Sequence, residues 1–255
     1  VYKRQVLRDD GWAGDLAECL ASGPDDVEPW MELHSQVVKR DTHSCVGLLE
    51  VSAELCYLKF YRSKSVLQSM GFQLGYGRGV HSFDVAGRLA GVGIGVPAAR
   101  CVLLVPGGML LLTEGLANST DLKSLWLRQL PVEEFRGWMV SAGKALAKMH
   151  LAGFAHGDCK WSNFQCCETG VVFVDLEAVG RCTPGSTAQH RDLARFTLNG
   201  EDMALPPNDY ELFFEAYLSA TGGDRPELLA NILKPLQPLR AKHLAKYGPR
   251  GHRLI

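Results

Sequence analysis

The chain has 255 residues, 46% of them hydrophobic and 22% charged, enough for one sizeable core or two small lobes. That balance excludes a disordered tail, and a net charge of −1 offers no global field for nucleic acid. RNP-like aromatic strands and zinc-finger spacings are also absent from the sequence, so nucleic-acid binding is not expected.

The front of the chain reads as strands. Gln36–Lys39 and Val46–Val51 flank a polar turn, Asp41-Thr42-His43-Ser44, and Cys56–Tyr61 follows with one lysine, Lys59, in an apolar and aromatic run. Phe83–Ala90 predicts a short helix closed by Gly91. Two further strands, Cys101–Val105 and Met109–Thr113, are separated by the turn Pro106-Gly107-Gly108. That turn also breaks the longest apolar stretch, which is too short to span a bilayer.

From Asp121 the pattern becomes helical. Asp121 is placed to cap a short helix through Trp126. Pro131 opens a long helix over Val132–Leu151, where Phe135, Met139, Ala142, Leu146 and Met149 recur at three and four, and Gly153 ends it. Short strands at Phe164–Cys166 and Val171–Val174 interrupt the helices, which resume at Asp192 and over Asp209–Ala220. These patterns predict an α+β, two-lobed chain: a strand-rich lobe over residues 1–117 and a helical lobe over 118–255, with a ligand cleft expected between them.

The eight cysteines form no CxxC pair, and Cys166 and Cys167 are neighbours, so reduced thiols in a cytoplasmic protein are the expectation. No charged-then-apolar leader is visible. After Glu227 the chain carries Lys234, Arg240, Lys242, Lys246, Arg250 and Arg253 without one acid. That run is either a solvated terminal helix or a contact for an anionic surface, such as the cytoplasmic face of an inner membrane.

The chemistry concentrates in His156-Gly157-Asp158-Cys159-Lys160-Trp161-Ser162-Asn163, on a turn after the long helix. A hydrophobic strand then delivers Asp175. This is the logic of phosphoryl transfer: Asp158 can take a hydroxyl proton from an acceptor, and Lys160 can neutralise charge on the moving phosphoryl group. Asn163 and Asp175 supply hard oxygens for Mg²⁺, and Lys59 can pair with the α/β-phosphates of ATP. Any one of these residues has an ordinary structural explanation, as a turn, a strand end or a snorkelling lysine. It is their conjunction that carries the reading.

The segments HGDCKWSN, VVFVDLE, YLKFYR and RDLARF resemble the Kdo/WaaP lipopolysaccharide kinases and their InaA-type relatives, over about Val37 to Phe196. The resemblance implies a bacterial, protein-kinase-like fold and phosphorylation of a heptose or Kdo sugar of the lipopolysaccharide inner core. It also makes Asp158 the catalytic aspartate, Asn163 and Asp175 the metal ligands and Lys59 the ATP lysine, with Glu114 at the adenine hinge. The roughly sixty residues after Phe196 lead to the expectation of a reduced C-terminal part.

Departures from protein kinases bear on the acceptor. Gly157 stands where those enzymes carry an arginine, which removes the usual partner of a phosphorylated activation loop. Leu176-Glu177 follows Asp175 where Phe-Gly is usual, and the short span to Asp192 leaves little room to dock a peptide. The Asp41–Ser44 turn holds no glycine, although its hydroxyls and N–H groups could cover phosphates. No glutamate lies between Lys59 and Pro97, so Asp84 is the nearest acid to partner Lys59. A sugar or glycolipid acceptor is the leading expectation. A kinase for an aminoglycoside, a choline-like alcohol or a protein, and a non-catalytic scaffold, are the alternatives.

Overall fold

The structure is a computed structural model that describes residues 5–21 and 26–255. It divides into two compact units, residues 1–91 with 96–118, and residues 92–95 with 119–255.

Unit 1 is built on a six-stranded antiparallel sheet. In chain order its elements are β1 (Gln5–Asp9), α1 (Ala13–Ala21), α2 (Val27–His34), β2 (Gln36–Arg40), β3 (Ser44–Val51), β4 (Glu54–Arg62), α3 (Val66–Gln73), α4 (Arg78–Gly91), β5 (Ala99–Val105) and β6 (Gly108–Glu114). The strands lie in the order β1-β5-β6-β4-β3-β2. All five expected strands form, and β1 adds an edge.

Alternation along the strands separates two cores. Cys56, Leu58 and Phe60 of β4, with Leu110 and Leu112 of β6, bury against Leu16, Trp30 and Met31 of α1 and α2. Tyr61, Met109 and Leu111 point the other way, to Phe72 of α3 and Val80 of α4. Helix α4 begins five residues before the expected Phe83. The glycines at its start disguise it in the sequence, yet Gly79 is what lets it lie close to the sheet: a Cβ there would meet Met109 Sδ at 2.8 Å.

Unit 2 holds β7 (Thr120–Asp121), α5 (Leu122–Leu127), α6 (Val132–Leu151), β8 (Phe154–Ala155), β9 (Phe164–Cys167), β10 (Gly170–Phe173), β11 (Gly180–Arg181), α7 (Thr187–Asp202), α8 (Pro207–Thr221) and α9 (Arg225–Tyr247). Asp121 caps α5 by accepting the Ser124 N–H at 3.0 Å. Helix α6 has the expected bounds, and Gly153 (φ +80°) turns the chain out of it. Beneath the segment that follows α6, Trp161, Phe164, Phe173, Phe196 and Phe213 form an aromatic core, with the last two rings stacked at 3.7 Å. Residues 92–95 belong to this unit because the Phe173 N–H donates to Gly95 O at 2.8 Å.

Candidate active site

The segment His156–Asn163 leaves β8 on a turn that only glycine accommodates easily. Gly157 has φ +79°, and a Cβ on it would lie 2.4 Å from the Ala178 carbonyl oxygen. The missing arginine of the sequence thus coincides with a steric demand for glycine.

Helix α7 holds this segment from one face. Asp192, fully buried, accepts the His156 N–H at 2.5 Å and the Gly157 N–H at 2.9 Å. Arg195 Nη1 donates to Asp158 Oδ1 at 2.8 Å, and Asn199 Oδ1 accepts the Trp161 N–H at 3.2 Å. Spacings of three and four put these side chains on one stripe of the helix. The motif RDLARF carried the signal, polar residues at helical spacing among buried Leu193, Ala194 and Phe196, but sequence reasoning gave Asp192 and Arg195 no role.

Asp158 is gripped on both oxygens, by Arg195 and by Lys160, whose Nζ lies 2.7 Å from Oδ2. Burial works to raise its pKa, but the Lys160 hydrogen bond and the Lys160 and Arg195 charges outweigh it, so the carboxyl titrates below the usual value. His156 is buried as a neutral ring. Burial lowers its pKa; Nε2 donates to Val174 O at 3.0 Å, and Nδ1 accepts the Asp158 N–H at 3.4 Å.

Asn163 donates its amide to Asp158 O at 2.8 Å, which leaves its side-chain oxygen as the end suited to a cation. Asn163 immediately precedes β9 and Asp175 follows β10 by two residues. Because Phe164 pairs with Phe173, both residues sit at the same end of this hairpin, and the Val174 N–H bonds Asn163 O at 3.1 Å. Among the described residues no cluster of three or more His, Cys, Asp or Glu could hold a metal. An amide oxygen and one carboxylate nonetheless suit Mg²⁺, which takes few protein oxygens beside water and phosphates.

In unit 1, Lys59 lies on β4 between Val46 and Leu111, its Nζ 5.2 Å from the Tyr61 ring centroid. Arg8 of β1 takes both oxygens of Asp84, at 2.7 and 3.0 Å. Glu114 ends β6 with its carboxylate on the Ala98 N–H at 3.0 Å. In the Asp41–Ser44 turn, Asp41 Oδ1 accepts the His43 and Ser44 N–H groups at 2.7 and 2.8 Å, so these two donors are already used.

All eight cysteines are free thiols, and burial pushes Cys101 and Cys166 up to about 12, away from the range of a nucleophile. Of the C-terminal basic residues, Arg240 is committed to Glu201. No helix among the described residues is long and apolar enough to cross a membrane.

Comparison with curated proteins returns no match. Among solved structures, the PknI kinase domain of M. tuberculosis is similar at 14% identity and a TM-score of 0.45, over 74% of this chain and 94% of that one. The profile of the lipopolysaccharide kinase (Kdo/WaaP) family matches residues 29–217, most of the chain and all of the segment from Lys59 to Arg195. The protein is therefore a member of the lipopolysaccharide kinase (Kdo/WaaP) family.

Proposed function

We propose that the protein transfers the γ-phosphate of ATP to a hydroxyl of a heptose or Kdo sugar in the lipopolysaccharide inner core. The observation that carries this reading is Asp158, fixed by Lys160 and Arg195 and bonded through its backbone to Asn163. A carboxylate kept anionic by two cations orients the acceptor hydroxyl and takes its proton late, as a loose phosphoryl-transfer transition state requires.

Lys160 has a second use in this scheme. As negative charge gathers on the transferring group, its ammonium can share itself between Asp158 and the phosphoryl oxygens. Asn163 and Asp175 would hold Mg²⁺, which when bound supplies charge neutralisation at the β- and γ-phosphates. Lys59 is assigned to the α/β-phosphates and Glu114 to the adenine hinge. Asp84, with Arg8 on both oxygens, is better suited to fixing α4 to β1 than to pairing with Lys59. A lipid-linked sugar acceptor goes with a protein working at the cytoplasmic face of the inner membrane.

Phosphate release into a purified core oligosaccharide tests the reading. Asp158→Asn is expected to lower kcat by about 10²–10⁴ while Mg-ATP still raises the melting temperature. Full transfer by that variant would remove Asp158 from its role.

A further inference from the structure

Helix α3 of unit 1 contributes no residue to the phosphoryl-transfer scheme. Helix α3 turns one aromatic inward, Phe72, buried against Tyr61 and Met109. Its other large apolar residues face out: Val66, Leu67, Met70, Leu74 and the following Tyr76 are between 53% and 81% exposed. Leu67, Met70 and Leu74 recur at three and four, so they share one face. A surface helix normally hides such a stripe, and a grouped apolar patch of this kind marks an interaction site.

The rim of the patch is basic. A pocket of about 80 Å³ beside α3 is lined by His43, Arg62, Lys64, Gln68 and Arg78 over a floor of Tyr61 and Phe72. Among the described residues no acid lines it, and no Asp or Glu occurs in the chain between Glu54 and Asp84. Arg62 is matched by Glu28, but Lys64 Nζ has His43 Nε2 as its neighbour, at 3.2 Å. The ammonium donates to that ring nitrogen, so an anion beside Lys64 would complement a charge that no acid among the described residues offsets. The pocket has room for one small anionic group and not for a nucleotide.

We propose that α3 and this basic rim dock on an anionic lipid surface. The aliphatic tips enter the acyl boundary, while Lys64 meets a headgroup phosphate. Protein-binding patches favour aromatic, methionine and arginine anchors, whereas this face is mainly a protruding set of Val and Leu. The lipid-linked acceptor proposed above gives the surface a purpose, but the observations for it lie in unit 1 alone.

Co-sedimentation of the full chain with vesicles free of nucleotide and sugar acceptor separates this from transfer chemistry. The wild type should bind vesicles containing phosphatidylglycerol, bind pure phosphatidylcholine at least tenfold more weakly, and lose binding as salt rises. Leu67→Glu with Leu74→Glu, both exposed positions, should weaken binding at least tenfold with the melting temperature unchanged. Lys64→Glu should weaken it about fivefold or more. Absence of wild-type binding, equal binding to both vesicle types, or undiminished binding by the double variant overturns the proposal. So does a wild-type dimer in size-exclusion chromatography that the double variant loses, because a second copy would then cover the patch. If the double variant fails to fold, the lipid and salt dependence of the wild type decides alone.

Discussion

Asp158 sits between opposing influences, and the pH dependence of activity follows from which one wins. Burial favours its neutral form, but Lys160 and Arg195 favour the anion more strongly, and its folded pKa is depressed. Such a group adds stability above its unfolded value, about 4, and loses it as pH falls through the folded value. The acid limb of kcat/KM assigned to Asp158 is therefore expected below pH about 4. Arg195→Met should move that limb upward and lower kcat/KM roughly tenfold, the scale of one charge-assisted hydrogen bond. An unmoved limb in a pH–rate profile would contradict the Arg195 assignment. Gly157 makes a second claim at this scale. Gly157→Ala must place a side chain at φ +79° and drive a Cβ toward Ala178 O, so urea denaturation should show a loss of about 2 kcal/mol or more. Gly180→Ala, whose Cβ meets nothing within 4 Å, serves as the control.

At the scale of elements, α7 works as a ruler laid along the segment His156–Asn163. Its Asp192, Arg195 and Asn199 hold residues 156–157, 158 and 161 in order. Asp192 also lies 3.3 Å from His150 of α6, which in turn bonds Tyr217 of α8 at 2.8 Å, so three helices converge on one buried carboxylate. Asp192→Ala would strand the buried His156 N–H and release the Gly157 N–H, which is partly open to solvent. It should cost about 3 kcal/mol or more, and amide exchange at Gly157 should quicken. Protection at Gly157 equal to wild type would show that the loop holds itself.

Helix α6 was readable to its ends, because its apolar positions keep one period and proline and glycine mark its limits. The start of α7 was not. It begins at Thr187, five residues before Asp192, and nothing in the local polar run distinguishes helix from loop. Helices α1 to α3 and strand β1 also escaped notice. Their pattern becomes clear only when the sheet face that each covers or extends is known.

On the scale of the whole molecule, the C-terminal charge run reads differently once folded. Arg240 donates to both oxygens of Glu201 and to Ile255 O, while Leu254 N–H donates to Glu201 Oε1 at 3.0 Å. Part of what looked like a solvated basic face thus joins α7, α9 and the last residues. The Glu201 side chain is 7% exposed, so Arg240→Ala leaves a buried charge without its partner and should destabilise by about 3 kcal/mol. The tail should then be cut sooner at Arg250 under limited trypsin digestion. Unchanged cleavage would mean that the tail is held by other contacts.

The sequence alone determined the α+β class, the family, the candidate segment His156–Asn163 and the long helix before it. Each rests on short-range regularities that survive in one dimension: period, capping and fixed spacing within a motif. Only the tertiary structure decided that Asp192 and Arg195 serve that segment and that Asp84 answers to Arg8. It also decided that α3 shows its apolar side to solvent. These are relations between residues tens of positions apart, or between a helix and what covers it. No local pattern encodes them, because burial and pairing are settled only when distant elements pack.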